Sequence, residues 1–303
     1  MANASLGKST IVRIKIRGLR AGFRIAEALA PAVGARAAVS LWFRTPPPVR
    51  STPLPTGGVS FEVTSMGGAV RGTYWGAGPV VYFLHGWGGR GDQFAGFVEP
   101  LLSTGHRVVL FDAPSHGVSD PGPSGRGRAH GVEFGRALDD VAAKFGPARA
   151  IVAHSMGAVP ALLSLRDGWV GADRLVFISP MGRLSTSFDE FGAMIGFGPR
   201  IRRAMDVETE RLTGYPVSEF SVRTIAAGLT PMPPALVVHD RTDRVTSHDE
   251  SADAVQLWPD ATFVSTDGLG HGRILRDAGV IGKAVRHVTA AASDADDELE
   301  AIA

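Results

Sequence analysis

From Val59 onward the chain alternates short apolar runs with stretches of helical length, and this alternation limits the fold more than any other feature of the 303 residues. Apolar runs bounded by turn residues occupy 80–84, 107–111, 150–153, 175–178, 235–238 and 262–265. Residues 91–103, 130–145 and 248–258 lie between them with helical length and spacing. Strands joined by helical crossovers pair in parallel, so the pattern predicts an α/β fold: a mostly parallel, doubly wound sheet with helices on both faces. Ahead of it, 59–64 and 69–75 flank Met66-Gly67-Gly68 and predict an N-terminal antiparallel β-hairpin. Chemistry in such sheets collects beyond the C-terminal ends of the strands, which makes the residue after each run a candidate.

Composition sharpens this. With 44 % hydrophobic and 20 % charged residues the chain has the make-up of a globular protein. It contains no Cys, which excludes a disulfide scaffold, a thiolate zinc site and a cysteine nucleophile. The net charge of +1 hides an asymmetry: residues 1–50 hold nine basic side chains against Glu27 alone. The rest is mildly acidic, which argues against nucleic acid as a partner.

The basic segment predicts a helical arm over about 12–30. Val12, Ile16, Leu19 and Phe23 form one stripe, and Arg13, Arg17, Arg20 and Arg24 form its neighbour. The expected role is packing on the main domain; the arginines also suit a weak peripheral contact with an anionic membrane. The apolar stretch 25–43 is too interrupted by Glu27, Pro31 and Arg36 to span a bilayer. Pro31 directly after Ala28-Leu29-Ala30 spoils the one small-residue cleavage site. A cytoplasmic location is therefore expected. Prolines 46, 47, 48, 53 and 55 predict an extended linker. The boundaries that follow are an arm and linker at 1–57, a main domain at 58–290 with an insert near 180–234, and an acidic tail at 291–303. The oligomeric state has no sequence signature here.

Two motifs follow strand ends. After 150–153 comes His154-Ser155-Met156-Gly157-Ala158, which fits the strand–turn–helix nucleophile elbow G-x-S-x-G, with Ala153 at the first glycine. Small residues are needed because strand and helix backbones approach closely, and the turn exposes the Ser155 Oγ. A plain helix N-cap would not need them. After Val80–Leu84 comes His85-Gly86-Trp87-Gly88-Gly89. No Lys-Ser/Thr follows, so this is not a P-loop. It suits an oxyanion loop in which the N–H groups of Trp87 and Met156 stabilise charge developing on a carbonyl oxygen. His85, inside the loop's own turn, reads as structural.

With these two motifs in this order, the chain resembles the serine hydrolases of the α/β-hydrolase superfamily over about residues 58–290. Asp112-Ala113-Pro114-Ser115-His116-Gly117-Val118-Ser119 is similar to the family's D-x-P-G-x-G-x-S loop, with Ser115 replacing a glycine. The resemblance implies an acid and then a base after the nucleophile. Asp240 and Asp243, in His239-Asp240-Arg241-Thr242-Asp243-Arg244-Val245, compete for the acid. The spacing to Val245 and the reach into the loop favour Asp243, while Asp240 at the strand end suits a brace. His271, within Gly268-Leu269-Gly270-His271-Gly272 after the last strand, is the base that the resemblance implies. Ser155, His271 and Asp243 would perform two-step acyl transfer on a small-molecule ester or thioester without a cofactor. No pair of histidines has zinc-ligand spacing, so no metal is expected.

The family inserts its cap where 180–234 lies. The apolar residues Phe188, Phe191, Met194, Ile195 and Phe197 there either bury a small helical layer or line a substrate pocket, which would be built from Trp87, Met181, Phe188 and Phe191. Ser155 at the elbow separates the chain from superfamily members that use Asp there, the epoxide hydrolases and haloalkane dehalogenases. C–C bond hydrolysis and a non-catalytic binding module on the same fold stay open.

Overall fold

The computed structural model describes residues 3–47 and 50–291, with side chains from Ile16 onward. Beyond Ala291 the acidic tail lies outside the described residues, as do Pro48 of the linker and the side chains of Val12 and Arg13. Two compact units form: Thr45–Gly182 with Ser221–Ala303, and Met1–Arg44 with Arg183–Phe220.

The larger unit is built on one eight-stranded sheet. Its strands are β1 (Val59–Ser65), β2 (Gly68–Trp75), β3 (Val80–Leu84), β4 (Arg107–Phe111), β5 (Ala148–His154), β6 (Ala172–Ile178), β7 (Ala235–Asp240) and β8 (Ala261–Thr266). Their spatial order is β1-β2-β4-β3-β5-β6-β7-β8. The hairpin β1–β2 is antiparallel and β2 pairs antiparallel with β4; every later pairing is parallel. All five residues of β3 and all six of β7 are buried, as central strands covered on both faces require. The two-residue period then divides the core. Val81 and Phe83 share one cluster with Phe97, Leu101, Val280 and Ala284, from the helices numbered below α3 and α11. Tyr82, between them, points the other way and donates its hydroxyl to Gly146 O at 2.6 Å, so its one polar atom is not left unpaired.

In chain order the helices are α1 (Asn3–Leu29), α2 (Pro31–Trp42), α3 (Ala95–Leu102), α4 (Gly131–Phe145), α5 (Ala158–Arg166), α6 (Leu184–Ile195), α7 (Pro199–Thr213), α8 (Val222–Gly228), α9 (His248–Val255), α10 (Gly270–Arg273) and α11 (Ala278–Thr289). The smaller unit is wholly helical: α1 and α2 with α6 and α7. Pro31, read from sequence as an interruption, opens α2 at its first turn, where its missing N–H costs nothing. Gly34 lets α2 approach α7 closely, because a Cβ there would sit 2.9 Å from Ile201 Cγ1. Glu27 near the end of α1 accepts hydrogen bonds from the backbone N–H groups of Gly198, Arg200 and Ile201 at 2.8–3.0 Å. It thus caps α7 from 171 positions away in sequence. Burial works against its charge, but those three donors outweigh it and hold the carboxyl below its ordinary value.

The arm's partner within this unit is therefore the insert, which the sequence reading counts within the main domain at 58–290. Of its apolar stripe, Phe23 is buried against Phe197, with ring centroids 5.8 Å apart. Ile16 and Leu19 remain 43 % and 38 % exposed. The insert that belongs to this unit is also narrower than the sequence suggested, 183–220, since α8 returns to the larger unit.

Candidate active site

β5 ends at His154, and a single tight turn over Ser155–Gly157 leads into α5. Ser155 sits at the apex with φ 55°, a left-handed conformation that a non-glycine residue adopts only under constraint. The constraint is steric. A Cβ at Gly157 would lie 2.5 Å from Leu84 O, and one at Gly86 would lie 2.7 Å from Ser155 Cβ. Ala153, where the elbow pattern has glycine, fits its methyl wholly inside the sheet beside Leu84 and Phe177.

His271 reaches this serine from α10. Its Nε2 is 3.0 Å from Ser155 Oγ, and its Nδ1 is 2.7 Å from Asp243 Oδ2. An ionised carboxylate only accepts hydrogen bonds, so Nδ1 carries the proton and Nε2 is free to accept from the serine hydroxyl. The Asp243 side chain is fully buried. Its Oδ1 accepts from the N–H groups of Val245 at 2.8 Å and Thr246 at 3.2 Å. Burial alone would raise its pKa, but the hydrogen bonds from His239, His271 and Val245 together hold it far below the carboxylate range.

Asp240 has a different occupation. It accepts from Thr242 N at 2.9 Å, Thr242 Oγ1 at 2.5 Å, Thr266 Oγ1 at 2.7 Å and Leu269 N at 2.9 Å. Burial opposes its charge as well, and these donors prevail. It ties the loop after β7 to the loop that carries His271.

His154 and His239, to which the sequence assigned no role, also touch this constellation. His154 Nε2 donates to the His271 carbonyl at 2.9 Å, and its pKa is driven to about 3 by burial, with the neighbouring His271 adding to the effect. His239 is buried with its Nε2 3.4 Å from Asp243 Oδ2 and its Nδ1 2.7 Å from Ser251 Oγ. Facing an acceptor, Nε2 holds the proton, and the Ser251 hydroxyl donates to Nδ1. The signal available in sequence was position: His154 and His239 each sit at the end of a central strand.

Two further histidines shape the glycine loop. His116 Nε2 accepts from Gly88 N at 3.0 Å while its Nδ1 donates to Pro114 O at 2.9 Å. Burial, aided by His85, drops its pKa to about 3, so it is neutral. His85 accepts from Ala113 N at 3.0 Å and donates to Gly86 O at 2.8 Å. Asp112 adds bonds from Gly91 N and Val118 N, both at 2.8 Å. Ser115 has φ 60°, the conformation for which the family's loop has glycine. The loops after β3 and β4 are thereby pinned to each other beside the serine.

Ser155 and His271 open into a cleft of about 180 Å³ that Trp87, Gln93, Leu275 and Arg276 also line. Trp87 is thus at the cleft, Met156 is the residue after the serine, and Met181 N donates to Ser155 O at 3.0 Å. Phe188 and Phe191, the other two expected pocket residues, belong to the smaller unit. Both pack on Trp42 of α2, with centroids 5.1 and 5.2 Å from it, and Phe188 is fully buried. They form the helical layer that was the other reading of the same residues.

Residues 81–283 match the family described as Alpha/beta hydrolase family. The chain belongs to that family. No curated protein matches the sequence. Solved structures match this alpha/beta hydrolase in fold. A thioesterase domain from the curacin biosynthetic pathway is 15 % identical, with TM-score 0.56, over 78 % of this chain and 100 % of its own. An esterase from Rhodococcus sp. ECU1013 is 16 % identical, with TM-score 0.56, over 76 % and 98 %. A meta-cleavage product hydrolase from Pseudomonas fluorescens IP01 is 15 % identical, with TM-score 0.54, over 76 % and 96 %. Among the described residues of this alpha/beta hydrolase, no group of three or more His, Asp or Glu is placed to hold a metal ion. No described helix is long and apolar enough to cross a membrane.

Proposed function

We propose that this alpha/beta hydrolase is a serine hydrolase that cleaves a carboxylic ester or thioester through an acyl-enzyme. The observation that carries the reading is the unbroken line from buried Asp243 through His271 to Ser155, at 2.7 and 3.0 Å, with the serine held at the apex of a tight turn and open to a cleft. His271 Nε2 takes the Ser155 proton as Oγ attacks the carbonyl carbon. Asp243 keeps the imidazole in the required tautomer and offsets the charge it acquires. The N–H groups of Trp87 and Met156 receive the oxyanion. His271 then gives the proton to the leaving alcohol or thiol. It next activates a water that attacks the acyl carbonyl and releases the acid.

A fluorophosphonate probe tests this directly. It should label the wild-type chain and leave Ser155→Ala unlabelled, and turnover in a chain-length series of p-nitrophenyl esters and acyl-CoA thioesters should fall about 10⁶-fold in that variant. Unchanged turnover by Ser155→Ala would overturn the mechanism. Probe labelling without turnover of any ester or thioester would point to C–C bond hydrolysis on the same three residues. Tight ligand binding with neither labelling nor turnover would point to a binding module.

A further inference from the structure

The helix α1 carries two apolar stripes; its fold partner covers one at Phe23 and leaves the other uncovered. Phe23 and Glu27 face α7 and the turn before it, through the Phe197 ring and the backbone of 198–201. On a helix of 3.6 residues per turn, Gly18, Gly22, Ile25 and Leu29 lie on the opposite side at 4-3-4 spacing, with Ala21 and Ala28 beside them. All six are exposed, Ile25 to 61 % and Leu29 to 80 %. Nothing lies within 4 Å of where a Cβ on Gly18 or Gly22 would be. In sequence the same spacing runs back through Ile14 and Ile11. Just past the helix end, Val33 is 61 % exposed.

The charge beside this face has one sign. Arg17 and Arg24 lie exposed along its border. Glu27, the only acid in residues 1–50, is committed to the opposite side, where it caps α7. An apolar strip bordered by arginines matches a surface that is apolar beneath and negative on top. A second copy of the chain would bring the same cations against these, so like-charge repulsion disfavours self-association through this face.

We propose that the outward face of α1 docks on an anionic lipid bilayer, with Ile25 and Leu29 entering the boundary of the acyl chains and Arg17 and Arg24 meeting the headgroup anions. The readout is membrane partition, so it is independent of turnover.

The test is co-sedimentation of the full chain with phosphatidylcholine vesicles, with and without phosphatidylserine. The wild type should bind only the vesicles that contain phosphatidylserine. Binding should weaken between about 0.1 M and about 1 M salt, as the screening length shortens from roughly 10 Å to roughly 3 Å. Arg17→Gln with Arg24→Gln should weaken it about thirtyfold. Ile25→Asp with Leu29→Asp should abolish it without lowering the melting temperature, because both side chains are exposed in the folded unit. Three results would overturn the proposal: no binding to the anionic vesicles, equal binding to neutral ones, or binding that survives the aspartate pair. A concentration-dependent dimer that the aspartate pair dissolves would also overturn it, by assigning the face to a second copy.

Discussion

Replacing Asp243 with Asn keeps the side chain's shape and removes its charge, and the effect can be worked out atom by atom. Oδ1 would still accept from Val245 and Thr246 N–H. The new NH₂ would take the place of Oδ2, now facing His271 Nδ1 at 2.7 Å and His239 Nε2 at 3.4 Å. Donor would then face donor, so His271 relieves the clash by moving its proton to Nε2. In that tautomer it cannot accept the proton of Ser155. The expected loss in kcat is about 10⁴-fold, or roughly 5 kcal/mol of transition-state stabilisation. Asp240→Asn is the matched control. Its NH₂ would oppose Leu269 N–H at 2.9 Å, while the Thr266 hydroxyl can rotate to donate elsewhere. One buried donor is left unsatisfied, at about 1–3 kcal/mol of stability. The melting temperature should fall by several degrees, with kcat changed far less. Steady-state kinetics on a p-nitrophenyl ester, with a thermal melt of each variant, decide the matter. A larger kcat loss in Asp240→Asn than in Asp243→Asn would show that the acid has been assigned to the wrong aspartate.

Acid should destabilise the fold well above the carboxylate range. His116 and His154 have folded pKa values of about 3 against an unfolded value near 6.5, so their contribution is complete above about pH 6.5 and is lost as pH falls toward 3. Between pH 7 and pH 5 each should contribute a loss of about 2 kcal/mol, read as unfolding free energy by urea titration, and His116→Gln should make that slope shallower. In the smaller unit, Glu27→Ala removes the acceptor for the N–H groups of Gly198, Arg200 and Ile201 at the start of α7 and should cost about 1–2 kcal/mol. Amide exchange at 198–201 should speed up in that variant, and unchanged protection would mean that the cap is not made in solution.

The sheet was legible because every core strand contains a short apolar run, and periodicity reports burial directly. Its errors have local causes. The run at 150–153 is only the end of β5, which starts at Ala148 and includes Arg149; likewise β6 starts at Ala172 and includes Arg174. Charged residues there looked like loop. They are accommodated because Arg149 reaches Val288 O and Arg174 reaches Ala291 O, carbonyls that lie more than a hundred residues away in sequence. The elbow and the glycine loop were legible for a related reason, since close backbone approach demands small residues at fixed positions. The choice between Asp240 and Asp243 needed the family's spacing, for both are aspartates in one loop and only their partners distinguish them. Whether Phe188 and Phe191 pack a helical layer or line a pocket was not legible, because an apolar side chain does not encode which wall it faces. The wall is Trp42, supplied by a helix far away in sequence. Glu27 was read only as a break in an apolar stretch, since the amide groups it caps lie in another part of the chain.

The two ends of the insert lie side by side within each unit. On the larger unit's side Val222 N donates to Gly182 O at 3.0 Å, and on the smaller unit's side Leu184 N donates to Phe220 O at 2.9 Å. In the larger unit the two ends are therefore hydrogen-bonded neighbours, and Gly182 could be joined almost directly to Ser221. Glu27 and Phe23 would lose their partners in such a graft. An exchange of caps between relatives would for that reason have to move residues 1–44 together with 183–220, as two segments of the chain that count as one module.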